Sequence, residues 1–126
     1  MNALGYTLAD KNQNLDEALK HLTEAVRQEP RSGSMIDSLG WALFRMGRYS
    51  EALDNLETAI SLEPGTGEIA EHLGDAYFKT NRKTEAELEW NKAASLYTKP
   101  EDIARVKAKV QKGLSDAPKI AVAENW

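Results

Sequence analysis

The side chains with which this 126-residue chain could begin chemistry are two histidines, twenty carboxylates and three tryptophans. His21 and His72 stand far apart, and neither has a second imidazole three or four residues away, so a pair of transition-metal ligands on one helix is not on offer. Gly65-Thr-Gly67 lacks the Gly-Lys-Ser/Thr ending of a phosphate loop and follows a helical stretch, which makes it a connection between helices. No serine sits in a Gly-x-Ser-x-Gly turn. There is no cysteine, so thiolate nucleophiles, disulfides and cysteine zinc sites are all excluded, while reducing and oxidising compartments both stay open. What remains is aromatic and charged side chains distributed along helices, the chemistry of contact and not of turnover.

The elements that carry them recur with a fixed step. Ala18, Ala52 and Ala86 are evenly spaced, Ala25, Ala59 and Ala93 keep the same interval, and so do Pro30 and Pro64. A period of this length marks a stack of supersecondary units that share one core with their neighbours. In residues 33–64, Ile36, Leu39, Gly40, Leu43 and Phe44, then Leu53, Leu56, Ala59, Ile60 and Leu62, fall at the three-and-four spacing of two amphipathic helices. Residues 45–50 separate them, with Gly47 suited to a left-handed helix end and Ser50 to capping the helix that follows. Pro64 and Gly65 close the unit. The next unit reads as a helix over 69–79, a turn over 80–83 with Asn81 in the place of Gly47, and a helix over 84–97.

Gly5, Gly40 and Gly74 each follow a leucine at a matched place. A glycine inside a helix costs up to about 1 kcal/mol against alanine, so these positions and the matched alanines mark close helix crossings. At the C-terminal end, Thr98 and Glu101 have capping-box spacing around Pro100, and Ile103, Val106, Val110 and Leu114 form an apolar stripe opposite Arg105, Lys109 and Lys112. This predicts a capping helix whose basic side is wet. Trp90 and Tyr49 occupy packing places.

Composition sets the outer limits. With 41% hydrophobic and 29% charged residues, the chain has the make-up of a helical protein that builds a core without a membrane span. The net charge is -4, with the acidic excess over residues 33–98 and a basic excess over 99–126. An acidic body disfavours nucleic acid as a partner. No leader is visible in the first ten residues, although Met1 falls inside an expected helix, which suggests a piece of a longer array.

The Leu-Gly pairs, Tyr49-Ser-Glu51-Ala52, Ala59 and the closing Pro64 together resemble the tetratricopeptide repeat, whose unit has the period seen here. The resemblance implies an all-α, right-handed α-solenoid of about three helix-turn-helix units plus a C-terminal capping helix. The units are residues 1–32, 33–66 and 67–98, followed by the capping helix at 99–114 and a flexible tail at 115–126. The first unit carries one extra residue in its turn, over 10–14, and Ile36 and Ala70 stand where the family has an aromatic. The resemblance also places first helices on the concave face. Carried over residue by residue, it gives a partner-binding groove of Tyr6, Asp10, Asp37, Trp41, Phe44, Arg45, Glu71, Asp75, Phe78 and Lys79. Such a groove is aromatic and acidic and suits a protein or peptide with basic and apolar residues. The carboxylate-clamp pattern of chaperone-tail receptors is absent, because Asn2, Tyr6, Ser38, Glu68 and His72 fill those places.

The resulting expectation is a binding scaffold without cofactor, metal or catalytic residues. Two alternatives stand beside it: homo-oligomerisation through the open first unit or the tail with Ile120, Val122 and Trp126, and an accessory array of a larger enzyme. The wording of the repeats is similar to C-terminal arrays of bacterial tetratricopeptide proteins, which leaves the compartment open between the cytoplasm and, for a fragment of an envelope protein, the periplasm.

Overall fold

The computed structural model describes residues 14–114. Over them run six helices: α1 (Leu15–Gln28), α2 (Gly33–Arg45), α3 (Tyr49–Leu62), α4 (Gly67–Lys79), α5 (Lys83–Leu96) and α6 (Pro100–Lys112). No strand occurs among the described residues. Each helix packs on its neighbours in sequence, and α2 also touches α4, so the even-numbered helices line up on one side of a helical solenoid. The expected first helix of the first unit, with Tyr6 and Asp10, and the tail at 115–126 lie outside the described residues.

The turns inside the second and third units, between α2 and α3 and between α4 and α5, are copies of each other. Gly47 and Asn81 both take positive φ, 81° and 71°. Behind them the backbone N–H groups of Arg48 and Arg82 donate to the carbonyls of Leu43 and Tyr77, each at 2.9 Å, the six-to-one bond that satisfies the end of a helix closed by a left-handed residue. The predicted cap at Ser50 is corrected: α3 begins two residues earlier than that cap requires, at Tyr49, Arg48 holds the cap position, and no side chain caps the helix. The capping box at Thr98 and Glu101 is not made either, since Lys99 precedes α6 without a side-chain cap bond. Pro100 opens that helix as expected, because its fixed φ and missing N–H cost nothing in a first turn. A side-chain cap does form at α2, where Ser32 accepts from the Met35 N–H at 3.3 Å.

The repeated small residues are the crossing points. Ala18, Ala52, Ala59, Ala86 and Ala93 are wholly buried. A Cβ on Gly40 would come within 2.8 Å of the Leu56 side chain, and one on Gly74 would collide with the Trp90 indole. Trp90 is buried at the place that Leu56 holds in the preceding unit, as its spacing predicted.

Helix α6 keeps the phase of the repeat but changes its chemistry. Val106, one full repeat on from His72, is fully buried against α5, with Val110 and Leu114 beside it. Lys107, Ala108 and Gln111, one full repeat on from Leu73, Gly74 and Tyr77, are exposed. Positions that would receive another helix are therefore solvated.

Candidate functional site

The inner face of the solenoid is formed by α2, α4 and α6, and its central feature is a ladder of rings. Phe44, Trp41 and His72 stack in order, with centroids 4.7 Å apart at 10° for the first pair and 4.0 Å apart at 14° for the second. Trp41 and Phe44 lie one turn apart on α2 because Leu39 and Leu43 already face the core. Tyr49 meets the edge of Phe44 at 5.1 Å, and the Lys79 ammonium lies 5.7 Å above the Tyr49 ring. Trp41, Phe44, Arg45 and Lys79 are half-buried.

Next to the ladder the acidic groups are already engaged. Asp37 accepts from His72 Nδ1 at 2.9 Å. Glu71 takes two bonds of 2.8 Å from the Arg105 guanidinium, one of 2.8 Å from Lys109 Nζ and one of 2.7 Å from the Tyr97 hydroxyl. Asp75 takes Lys109 Nζ at 3.0 Å on both oxygens and the Trp90 indole N–H at 2.9 Å. The expected wet basic side of the capping helix is thus corrected. Lys109 reaches inward between two carboxylates, Arg105 lies across Glu71, and Lys112 remains exposed. The free negative potential expected of Glu71 and Asp75 is balanced from within the chain.

The titration behaviour follows from these neighbours. Burial works against the Glu71 carboxylate, yet Arg105, Lys109 and Tyr97 hold it down at about 2. Burial would lower Lys109, and Asp75 and Glu71 overcome it and hold the ammonium raised. Burial pushes the Asp75 carboxyl up, with Lys109 opposing. The Tyr97 hydroxyl is raised by its own burial and by donating to Glu71.

Of the sequence-predicted groove residues within the described chain, Asp37, Trp41, Phe44, Glu71 and Asp75 gather around this face. Phe78 turns toward the seam of α5 and α6, with its ring 5.7 Å from Trp90 and beside Gly113. Tyr97, Arg105 and Lys109 are the partners that the sequence reading did not assign to this face, and His72, which fills a clamp place there, was given no partner. A signal for two of them was present: Arg105 and Lys109 lie one repeat beyond Glu71 and Asp75 and reverse their sign. His21 is exposed on α1, apart from His72, and no cluster of three metal-ligating side chains occurs among the described residues.

A family model described as tetratricopeptide repeat matches residues 38–99, the stretch that holds the ring ladder, the turns at Gly47 and Asn81, and the carboxylates of Glu71 and Asp75. This is a tetratricopeptide-repeat chain. It is similar to a TPR repeat-containing protein of Pseudomonas aeruginosa, 40% identical over 48 residues that cover 38% of this chain and 8% of that protein. The chain therefore corresponds to a small part of that relative's length. Among solved structures, the Yersinia enterocolitica type III secretion translocator chaperone SycD shares the fold with a TM-score of 0.78 at 18% identity, over 87% of this chain and 86% of that one. PcrH, solved in complex with the chaperone-binding region of PopD, gives 0.77 at 18% identity, over 86% and 84%. MamA from AMB-1 gives 0.66 at 29% identity, over 79% of this chain and 55% of MamA. The tetratricopeptide fold is that of a protein-interaction module, and among the described residues no helix is long and apolar enough to cross a membrane.

Proposed function

We propose that this tetratricopeptide array captures a segment of a partner protein along its inner face, with the Phe44–Trp41–His72 ladder as the apolar anchor. The observation that carries this reading is the ladder itself: three near-parallel rings, held in place by Asp37 and by core leucines, with Trp41 and Phe44 left half-buried beside α4. Preorganised aromatic surface of this kind gives wide contact area with little side-chain entropy left to lose on binding. PcrH, which shares the fold, takes up a region of PopD, and that precedent supports a chain segment as the occupant here.

The engaged state of Glu71 and Asp75 refines the partner expected from sequence. Basic residues of a partner would compete with Arg105 and Lys109 for those carboxylates, so the partner's apolar residues contribute most of the affinity and its charges set register. The self-association alternative rests on segments outside the described residues.

Selection of a displayed random-peptide library against the chain tests the reading. Selected peptides should bind with apolar residues in common and lose about tenfold or more in affinity on Trp41→Ala or Phe44→Ala. Leu88→Ala, on the exposed side of α5, should leave their affinity unchanged. Loss at Leu88 with retention at Trp41 and Phe44 would place binding on the outer face and end the proposal.

A further inference from the structure

Asp37 of α2 and His72 of α4 tie together the two inner helices that belong to successive repeats. They are 4% and 9% exposed, His72 Nδ1 lies 2.9 Å from Asp37 Oδ1, and the imidazole rests face to face on Trp41. A carboxylate this deeply placed needs a countercharge, which an imidazolium supplies and a neutral imidazole does not.

The groups facing His72 favour its proton. From α2 comes Asp37, and from α4 itself come Glu68 and Asp75. Lys109 of α6 approaches the same cluster but is engaged by Glu71 and Asp75, and α5 offers only the uncharged Trp90 N–H to Asp75. Burial works against the charged ring, and Asp37, Glu68 and Asp75 hold it above the ordinary histidine value nonetheless.

We propose that His72 is a proton-operated tie between the second and third repeats: protonated, it clamps α2 to α4 through Asp37, and deprotonated, it loosens the inner face at that junction. The tie acts in the free chain, whether or not a partner is bound. Because the folded value is raised, the stabilisation is complete below the unfolded histidine value and is lost as pH rises through the folded one.

The experiment uses the whole chain with His21→Gln on the exposed side of α1, so that one imidazole remains to be followed by ring NMR, folded and in urea. The folded midpoint should lie above the urea midpoint. Amide protection in α2 and α4, corrected for intrinsic exchange, should fall across the folded midpoint by up to about tenfold for each pH unit between the two midpoints. Asp37→Asn should lower the folded midpoint and flatten the protection profile, and His72→Gln, which keeps a hydrogen-bond donor, should flatten it as well. A folded midpoint at or below the urea midpoint, or a protection profile that Asp37→Asn and His72→Gln leave unchanged, would overturn the proposal.

Discussion

Replacing Lys109 with methionine removes the one cation that Glu71 and Asp75 share. Lys109 Nζ lies 2.8 Å from Glu71 and 3.0 Å from each oxygen of Asp75. Without it Glu71 keeps Arg105 and Tyr97, whereas Asp75, 3% exposed, keeps the Trp90 indole. The loss therefore falls on Asp75. Leaving one member of a buried ion pair without its partner costs about 3–5 kcal/mol. Because the Lys109 side chain is itself 19% exposed and methionine replaces most of its stem, the lower end, about 3 kcal/mol, is the expected value. For a chain of 126 residues that is a drop in Tm of about 11 °C. Thermal and urea unfolding at pH 7, followed by circular dichroism, measure it against Lys107→Met, an exposed position on the same helix that should stay within about 0.5 kcal/mol of the parent. Adding Asp75→Asn to Lys109→Met should recover part of the loss, because a neutral amide needs no cation. If Lys109→Met and Lys107→Met unfold within about 1 kcal/mol of each other, Lys109 is not the bolt between α4 and α6.

Three further outcomes follow from the same geometry. Since Glu71 is held at about 2, its contribution is present above the unfolded carboxylate range and is lost as pH falls through about 2; acid unfolding of Glu71→Gln should show a shallower dependence between pH 4 and pH 2 than the parent. Gly74→Ala drives a methyl group into the Trp90 indole and should cost about 1–3 kcal/mol in urea unfolding, whereas Gly65→Ala meets no atom within 4 Å and should cost less. At φ 71°, Asn81→Gly should be neutral or stabilising and Asn81→Ala destabilising by about 1 kcal/mol, read from the same unfolding curves.

The fold was legible because its landmarks are local and repeat. Ala52, Ala59, Ala86 and Ala93 announced crossings that are now fully buried, and Gly47 and Asn81 announced left-handed turns that carry the same bond pattern. Helix starts were less legible. Ser50 and Thr98 have the right type for a cap, but a cap depends on where the preceding turn releases the chain, and both helices begin without a side-chain bond. Trp41 and Phe44 were assigned to the inner face because the family resemblance puts first helices there, while helical spacing gave the core places to Leu39 and Leu43. The fate of the acidic groups could not be read from α4 alone. Arg105 and Lys109 on α6 decide it, and their meaning emerges only when that helix is laid in the repeat phase and its sign reversal is matched to Glu71 and Asp75.

Whether the inner face is the surface that meets a partner is tested most directly by amide chemical-shift mapping of the chain with a peptide selected against it. Shifts concentrated on α2 and α4 around Trp41, Phe44 and His72, and absent from the outer sides of α3 and α5, are the predicted result. Shifts confined to α3 and α5, with the ring ladder undisturbed, would contradict it.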